Sequence, residues 1–463
     1  MLEAVALILG ALREAMTFAA LGLAISGLDD FFIDLVYFNR CLIRQIAVRP
    51  RHRRITVESM GLQDPGWFAI LVPAWDEAGV IGAMLRGLIG AYVYPNYRVF
   101  VGCYPNDPAT IAEVAGVDDP RIERVVITPS GPTTKADCLN HLWRAAVAHE
   151  AATDLRFKAV VLHDAEDVVH ASELHVFDHL IGRFDMVQLP VMPLPDPGSR
   201  WIAGHYMDEF AEAHTKDVVV REALGAAVPS AGVACAVARH QIAALARARP
   251  GAPFDPTCFT EDYELGQHVK RAGGRGALVR VRDVKRALVA THEHFPHTLR
   301  AAVRQKSRWM LGIALDGWDR LGWAGDGADQ YMFWRDRKPL FLVPLSILAW
   351  LTTVGALAML ALARMWAPAR ALGPIAPEHS WLAALLLLNI GLLGWRLLLR
   401  FGFTAHAYGL REGLRAVPRI IVANVINTLA TARAIERYLD IAVGRRNATW
   451  EKTAHRIPLI AAQ

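Results

Sequence analysis

Cysteine is sparse: five in 463 residues (Cys41, Cys103, Cys138, Cys235 and Cys258), with no CxxC pair and no regular spacing. This speaks against a disulfide framework or a cysteine zinc site and for reduced thiols in a cytoplasmic domain. An excess of one charge is also missing. Lys and Arg number 50 against 45 Asp and Glu, which gives no ground for nucleic-acid binding. No Walker-type loop and no GxGxxG follows a strand-like run, which argues against an ATPase or a nicotinamide enzyme. Low-complexity tracts and periods of 20–50 residues are absent too, so a repeat protein is not expected. What the chain has is apolar residues, 53% against 21% charged, with a mean hydropathy of +0.24. A disordered or fibrous chain is excluded, and the length suits two to three domains.

The apolar residues are unevenly spread. Leu340 to Ala363 holds no ionisable side chain and as a helix covers about 36 Å, more than the hydrocarbon core of a bilayer. Trp381 onward (WLAALLLLNIGLLGW) is a second span, with Arg396 and Arg400 near one end where they can snorkel. Ala4 to Leu28 is a third, interrupted by Arg13 and Glu14. Its aliphatic and aromatic residues contribute about −5 kcal/mol on the insertion scale and its two charges about +5 to +6, so those charges need protein partners. Ile420 to Ala432 is too short to span and carries Asn424 and Asn427, which suggests an interfacial or re-entrant helix. Arg40, Arg44, Arg49, Arg51, Arg53 and Arg54 follow the first span; Arg400, Arg411, Arg415 and Arg419 follow the Trp381 span. This bias puts residues 29–339 and the basic tail in the cytoplasm, and Arg51–Arg54 against anionic lipid headgroups. The expected layout is a span in 1–28, a soluble domain in 29–339, two spans in 340–400 and an interfacial helix with a basic tail in 401–463.

Between the spans, strand-like and helix-like patterns alternate. WFAILVPAWDE, YRVFVGCYPND, RIERVVITP and KAVVLHDAED read as strands; VIGAMLRGLIGAY, DPATIAEVAG and KADCLNHLWRAAVAH read as helices. That alternation predicts an α/β domain with a mostly parallel sheet, whose ligands gather beyond the carboxyl ends of the strands. Three of these strands end in acids: Asp76 with Glu77, then Asp107, then Asp164 with Glu166 and Asp167.

Asp164 and Glu166, alternate acids at a strand end, suit one hard divalent cation, whose other ligands would be phosphate oxygens and water. Helix capping explains them about as well. Thr260-Glu261-Asp262 opens a helical run and reads by itself as a cap. Gln305, Arg308 and Trp309 share one helix face at i, i+3, i+4, offering an amide, a cation and a flat ring for a diphosphate and a sugar. An interfacial anchor is the plainer alternative. His292, His294 and His297 form an HxHxxH cluster with no accompanying cysteine, a weak zinc signal.

Taken in order, VPAWDE, Asp107, Lys135, DAE, TED and QxxRW resemble the membrane-bound family 2 glycosyltransferases, the group of cellulose, chitin and hyaluronan synthases. The resemblance covers about residues 66–320. FFIDLVYFNR, HDAEDVV, THEHFPHTL and WEKTAHR are similar to its phage-adsorption protein B branch. The resemblance implies a GT-A type Rossmann-like domain plus transmembrane helices. It implies an inverting, metal-dependent enzyme that polymerises a sugar from a UDP-sugar, by analogy an N-acetylhexosamine, and feeds a polysaccharide across the bacterial inner membrane. Pro73, Trp75, Glu77, Asp107 and Lys135 would then face the nucleotide donor, Asp107 near the uracil. Asp164 and Glu166 would hold Mg²⁺ or Mn²⁺, with the usual DxD written here as DxE. Asp262, with Glu261 beside it, would be catalytic, and Gln305, Arg308 and Trp309 would hold the diphosphate and the acceptor glycan. Trp450 to Arg456 would close over the site. The implied partners are the lipid bilayer, an envelope or outer-membrane export partner and a second copy of the chain. Transfer of one sugar to a lipid carrier, or a non-catalytic receptor scaffold, are the alternatives.

Overall fold

The computed structural model describes residues 2–444, apart from 63, 129, 250, 378 and 379; the stretch from Trp450 to Arg456 and the basic residues Arg445, Arg446 and Lys452 lie outside the described residues. The chain divides into two compact units. One comprises the residues up to Ile43 together with Trp334–Pro418; the other comprises Arg44–Phe333 and the chain from Arg419 on.

The first unit is helical. Leu2–Ile43, Pro339–Met365 and Trp381–Tyr408 are long and apolar enough to cross a membrane. They pack through small residues: a Cβ on Gly22 would meet Leu345 at 2.6 Å, one on Gly27 Leu392 at 2.8 Å, and one on Gly355 Leu12 at 2.7 Å. Close approach of this kind is how helices associate without a hydrophobic driving force. Arg13 has the partner its position demands, donating to the carbonyls of Pro374 (2.7 Å) and Ile375 (3.2 Å). The first helix runs past residue 28, the expected limit of the span, and continues through Asp29 and Asp30 to Ile43. Lys338 Nζ lies 2.7 Å from Asp29 and 2.6 Å from Asp30, Arg335 reaches both, and Arg396 lies 3.1 Å from Asp30. These ion pairs let the helix carry both acids. The Trp381–Tyr408 helix likewise continues beyond residue 400. Residues 420–432 belong to one continuous helix, Leu410–Ala442.

The second unit is built on a seven-stranded sheet. Its strands are β1 (Trp67–Pro73), β2 (Tyr97–Cys103), β3 (Ile122–Val126), β4 (Phe157–Leu162), β5 (Met186–Gln188), β7 (Cys235–Ala238) and β8 (Gly276–Leu278), in the order β3-β2-β1-β4-β7-β5-β8. A separate parallel pair joins β6 (Val191–Pro193) to β9 (Thr291–Glu293). The first four strands are parallel, and β7 alone runs against its neighbours β4 and β5. Strands β1, β2 and β4 are buried almost throughout, as continuous β-branched and aromatic runs require when helices cover both faces. The helices Ile81–Ala91, Pro108–Ala115 and Lys135–Thr153 fall where the helical spacing predicts. Strands β5, β6, β8 and β9 have three residues each, too few for a periodic signal.

Parallel β1, β2 and β4 bring their carboxyl ends to one edge, and the reversed β7 begins at that edge. The loop before β7 is pinned there by Gln188, which donates to the carbonyls of Val233 (2.9 Å) and Leu189 (2.8 Å) and accepts from the Ala231 N–H (2.8 Å). The chain from Arg419 on is tied to this unit by a fully buried pair, Arg419 with Asp208 at 2.9 Å.

Buried His214 accepts the Val191 N–H at 2.8 Å through Nδ1. Burial and the nearby Arg280 lower its pKa to about 4. Between that value and the unfolded value near 6.5, the unfolded chain binds more protons. His214 therefore stabilises the fold fully above about pH 6.5 and loses about 3 kcal/mol of that stabilisation as pH falls to 4. Melting curves of the detergent-solubilised chain from pH 7 to 4 should decline less steeply for His214→Gln than for wild type; parallel curves would contradict this assignment.

Candidate active site

At the shared strand edge a cleft open to solvent is lined by Pro73, Glu77, Lys135, Asp164, Glu166, Glu261, Asp262, Gln305, Arg308 and Trp309. Ten of the twelve residues singled out in the sequence thus share one cavity. Trp75 and Asp107 are beside it. Trp75 packs edge-on against Tyr104, ring centroids 5.2 Å apart. Asp107 caps the Pro108–Ala115 helix by accepting the Thr110 N–H (3.2 Å) and also accepts the Asp76 N–H (2.6 Å). Asp76 lies in the left-handed region at φ 55°, so Asp107 holds the turn that follows β1.

Each acid is placed by a specific local device. Asp164 leaves β4 next to His163, which is fully buried. The His163 ring lies 2.7 Å from Asp167 and 2.8 Å from Glu173, with Tyr92 Oη at 3.3 Å. Burial by itself lowers the His163 pKa, but Glu173 and Asp167 together raise it to about 10, favouring a charged ring beside these two acids. Asp167 Oδ2 also accepts the Asp164 N–H at 3.1 Å, which ties the turn carrying Asp164 and Glu166 to this buried network. Asp167 appears in the sequence only as one more acid; no periodicity marks its pairing with His163 and Glu173.

Glu261 and Asp262 open the Glu261–Arg271 helix, where acids suit the macrodipole. Thr260 precedes them but makes no side-chain cap bond, so capping alone does not account for the TED triplet. Thr260 instead abuts Gly312, where a Cβ would lie 2.5 Å from its Cγ2. Gly312 belongs to a π-helical turn, Leu311–Asp316, that continues the Leu299–Met310 helix bearing Gln305, Arg308 and Trp309. The missing Cβ lets these two segments meet. Gly232, at φ +81°, provides a similar close approach, since a Cβ there would lie 2.8 Å from Asp262 Oδ2 and 3.4 Å from Lys135 Nζ.

Lys135 is the first residue of its helix, and its Nζ lies 2.6 Å from Asp164 Oδ1 and 3.7 Å from Glu261 Oε1. Burial disfavours an ammonium there, yet Asp164, Glu261 and Asp262 push its pKa above the ordinary lysine value. Burial raises both helix-start carboxyls against the pull of Lys135, Glu261 to about 7. Part of the lining is aromatic. Phe210, Phe295 and Trp309 face the cavity, the Phe210 and Phe295 rings 4.8 Å apart and Tyr206 stacked behind Phe295 at 4.7 Å. Phe210 escapes sequence reasoning, because an isolated aromatic carries no motif; Glu293 and Phe295 lie in the THEHFPHTL stretch, but that stretch gives them no role in a site.

Asp164 and Glu166 provide hard carboxylate oxygens on one cleft wall, a donor set suited to Mg²⁺ or Mn²⁺ when substrate phosphates complete the shell. Among the described residues no group of three or more His, Cys, Asp or Glu is placed to hold a metal ion, the HxHxxH cluster included. His292 is engaged through its backbone, exchanging N–H···O bonds of 2.8 and 3.0 Å with Val168.

Residues 65–312 match the family model described as glycosyltransferase like family 2. Bacteriophage adsorption protein B of Escherichia coli (strain K12) is 39% identical over 464 residues, covering 96% of this chain and 62% of that protein. Bacteriophage N4 adsorption protein B of Escherichia coli O157:H7 gives the same figures. The chain thus spans about 62% of the length of these curated relatives. Among solved structures, a mannosyltransferase from Pyrobaculum calidifontis in complex with GDP-Man and Mn²⁺ shares the fold, with a TM-score of 0.50 and 15% identity, covering 87% of this chain and 98% of that one.

Gly232→Ala places a methyl group against Asp262 at a backbone angle alanine resists. It should cost more than ~1 kcal/mol of stability, measured as a lowered melting midpoint. An unchanged midpoint would mean the loop has another conformation.

Proposed function

The chain belongs to glycosyltransferase family 2, and from that premise we propose that it polymerises a sugar, an N-acetylhexosamine drawn from a UDP-sugar, onto a growing glycan. The observation that carries this reading is the convergence in one cleft of Asp164 and Glu166, Lys135, Asp262 and the Gln305, Arg308, Trp309 face. The aromatic wall suits the apolar face of a pyranose ring, and the acids and cations suit a diphosphate and a proton acceptor.

In this mechanism Asp262 accepts the proton of an acceptor hydroxyl as its oxygen bonds to the anomeric carbon. The bond from that carbon to the diphosphate oxygen breaks, and its electron pair leaves with the nucleotide. One displacement inverts the anomeric centre. Buried Asp262, with its raised pKa, is a stronger base than a solvated carboxylate. Arg308 and Lys135 offset the charge gathering on the leaving diphosphate, an effect enlarged where water is excluded. A divalent cation held by Asp164 and Glu166 would supply further positive charge at the diphosphate. Trp309 and Phe295 orient the acceptor sugar.

In this reading the enzyme sits in the bacterial inner membrane with its catalytic unit cytoplasmic, a location supported by three helices long and apolar enough to cross a membrane. Its product would be an envelope or secreted polysaccharide, the kind of surface to which a phage adsorbs. An outer-membrane export partner and a second copy of the chain would carry the polymer onward.

The test is nucleoside diphosphate release by the chain in nanodiscs with Mn²⁺ or Mg²⁺, across UDP- and GDP-sugars. One sugar should be turned over, and Asp262→Asn should lower that rate by about 10²–10⁴-fold. Equal release by the variant would remove Asp262 from the role of base, and release from no donor, with or without acceptor glycan, would count against the enzyme reading. Product size then separates a polymerase from an enzyme that adds one sugar to a lipid carrier.

A further inference from the structure

Lys135 is electrostatically out of place. It begins the Lys135–Thr153 helix, where the unpaired N–H groups and the macrodipole favour anions and disfavour an ammonium. Its side chain is 17% exposed, which denies it the hydration a lysine ordinarily keeps. What holds it there is carboxylate: Asp164 Oδ1 at 2.6 Å and Glu261 Oε1 at 3.7 Å, with Asp262 Oδ2 close to the same Gly232 position that the ammonium approaches. Asp164 is also the more open of the two acids suited to a metal, its side chain 30% exposed while Glu166 is buried. The ammonium therefore sits on the carboxylate that a divalent cation reaches most readily.

On the reading of this cleft as a metal-dependent glycosyltransferase site, we propose that Lys135 is a resident cation that keeps Asp164 from binding a divalent metal until a nucleoside diphosphate draws the ammonium away. Two cations attracted to one carboxylate repel each other, so nucleotide-free protein binds the metal weakly. An incoming diphosphate gives Lys135 a second anionic partner at the very helix N-terminus that favours phosphate. As the ammonium turns to the phosphate oxygens, Asp164 is released to the metal. Metal and nucleotide then bind cooperatively, and by linkage each tightens the other by the same factor. The arrangement also keeps Asp164, Glu261 and Asp262 from repelling one another while the cleft holds no substrate.

The test measures Mn²⁺ binding, by loss of the free-ion paramagnetic resonance signal, to the full chain in nanodiscs with and without UDP. In wild type, UDP should tighten Mn²⁺ binding well beyond the affinity of UDP alone for the ion, by a factor in the range of roughly 5- to 150-fold typical of coupled sites. Lys135→Met should bind Mn²⁺ more tightly than wild type in the absence of UDP, and the coupling factor should shrink toward one. Lys135→Arg, which keeps the charge, should retain weak metal binding without UDP. Equal Mn²⁺ affinity of wild type with and without UDP overturns the proposal without needing any variant to fold. So does a Lys135→Met protein that binds UDP yet shows no gain in Mn²⁺ affinity. If wild type binds neither Mn²⁺ nor UDP, this proposal falls together with the glycosyltransferase reading; if it binds both independently, only the gating role of Lys135 falls.

Discussion

Six carboxylates, Glu77, Asp164, Glu166, Glu261, Asp262 and Glu293, line one cleft against only two basic side chains, Lys135 and Arg308. Like charges in a partly dehydrated cavity repel, and the surrounding structure is arranged around that repulsion. Lys135 stands among three of the acids, and the His163 ring pairs with Asp167 and Glu173 just beneath. The remaining negative charge favours cations in the cleft, which is what the proposed metal and donor roles require of it.

Holding so many polar groups at one edge demands close backbone approach from several directions. β7 runs antiparallel, so its preceding loop reaches the same edge as the ends of β1, β2 and β4. Gly232 lets that loop touch Asp262, and Gly312 lets the π-helical turn touch Thr260. π turns of this kind tend to occur at functional sites because they re-aim a helix face. Here the turn directly follows the helix that carries Arg308 and Trp309. Arg320 steadies the neighbouring loop through Glu264 and Asp255 (2.9 Å), which burial alone would leave harder to ionise.

The helical unit solves its own charge problem by the same means. Asp29, Asp30, Arg335, Lys338 and Arg396 are individually costly beside long apolar helices, and as a set they nearly neutralise one another. Asp34 accepts from the Trp395 indole at 2.8 Å, a further polar tie between the first and third apolar helices. Pairing across helices lets the first helix carry both half-buried acids past residue 28, the limit expected from the apolar run.

The elements legible in the sequence are those set by local chemistry repeated along the chain. Apolar runs, one of them uninterrupted from Leu340 to Ala363, give the three long helices, and β-branched runs ending in acids give β1, β2 and β4. The i, i+3, i+4 spacing gives the shared face of Gln305, Arg308 and Trp309. The resemblance to family 2 glycosyltransferases also groups Asp164, Asp262 and Lys135, which local pattern alone does not. Other features are not written in any local pattern. The three-residue strands, the hold of Asp107 on the Asp76 N–H and the addition of Phe210 and Phe295 to the cleft depend on residues far apart in the chain, while His163 meets Asp167 and Glu173 only four and ten residues on, across turns that no periodicity marks. Periodicity reports which way a side chain faces on its own element, since that follows from backbone geometry. Which other side chain it meets, and hence whether an acid caps, pairs or faces the cleft, is decided only when the sheet order and the packing of its loops bring those residues together.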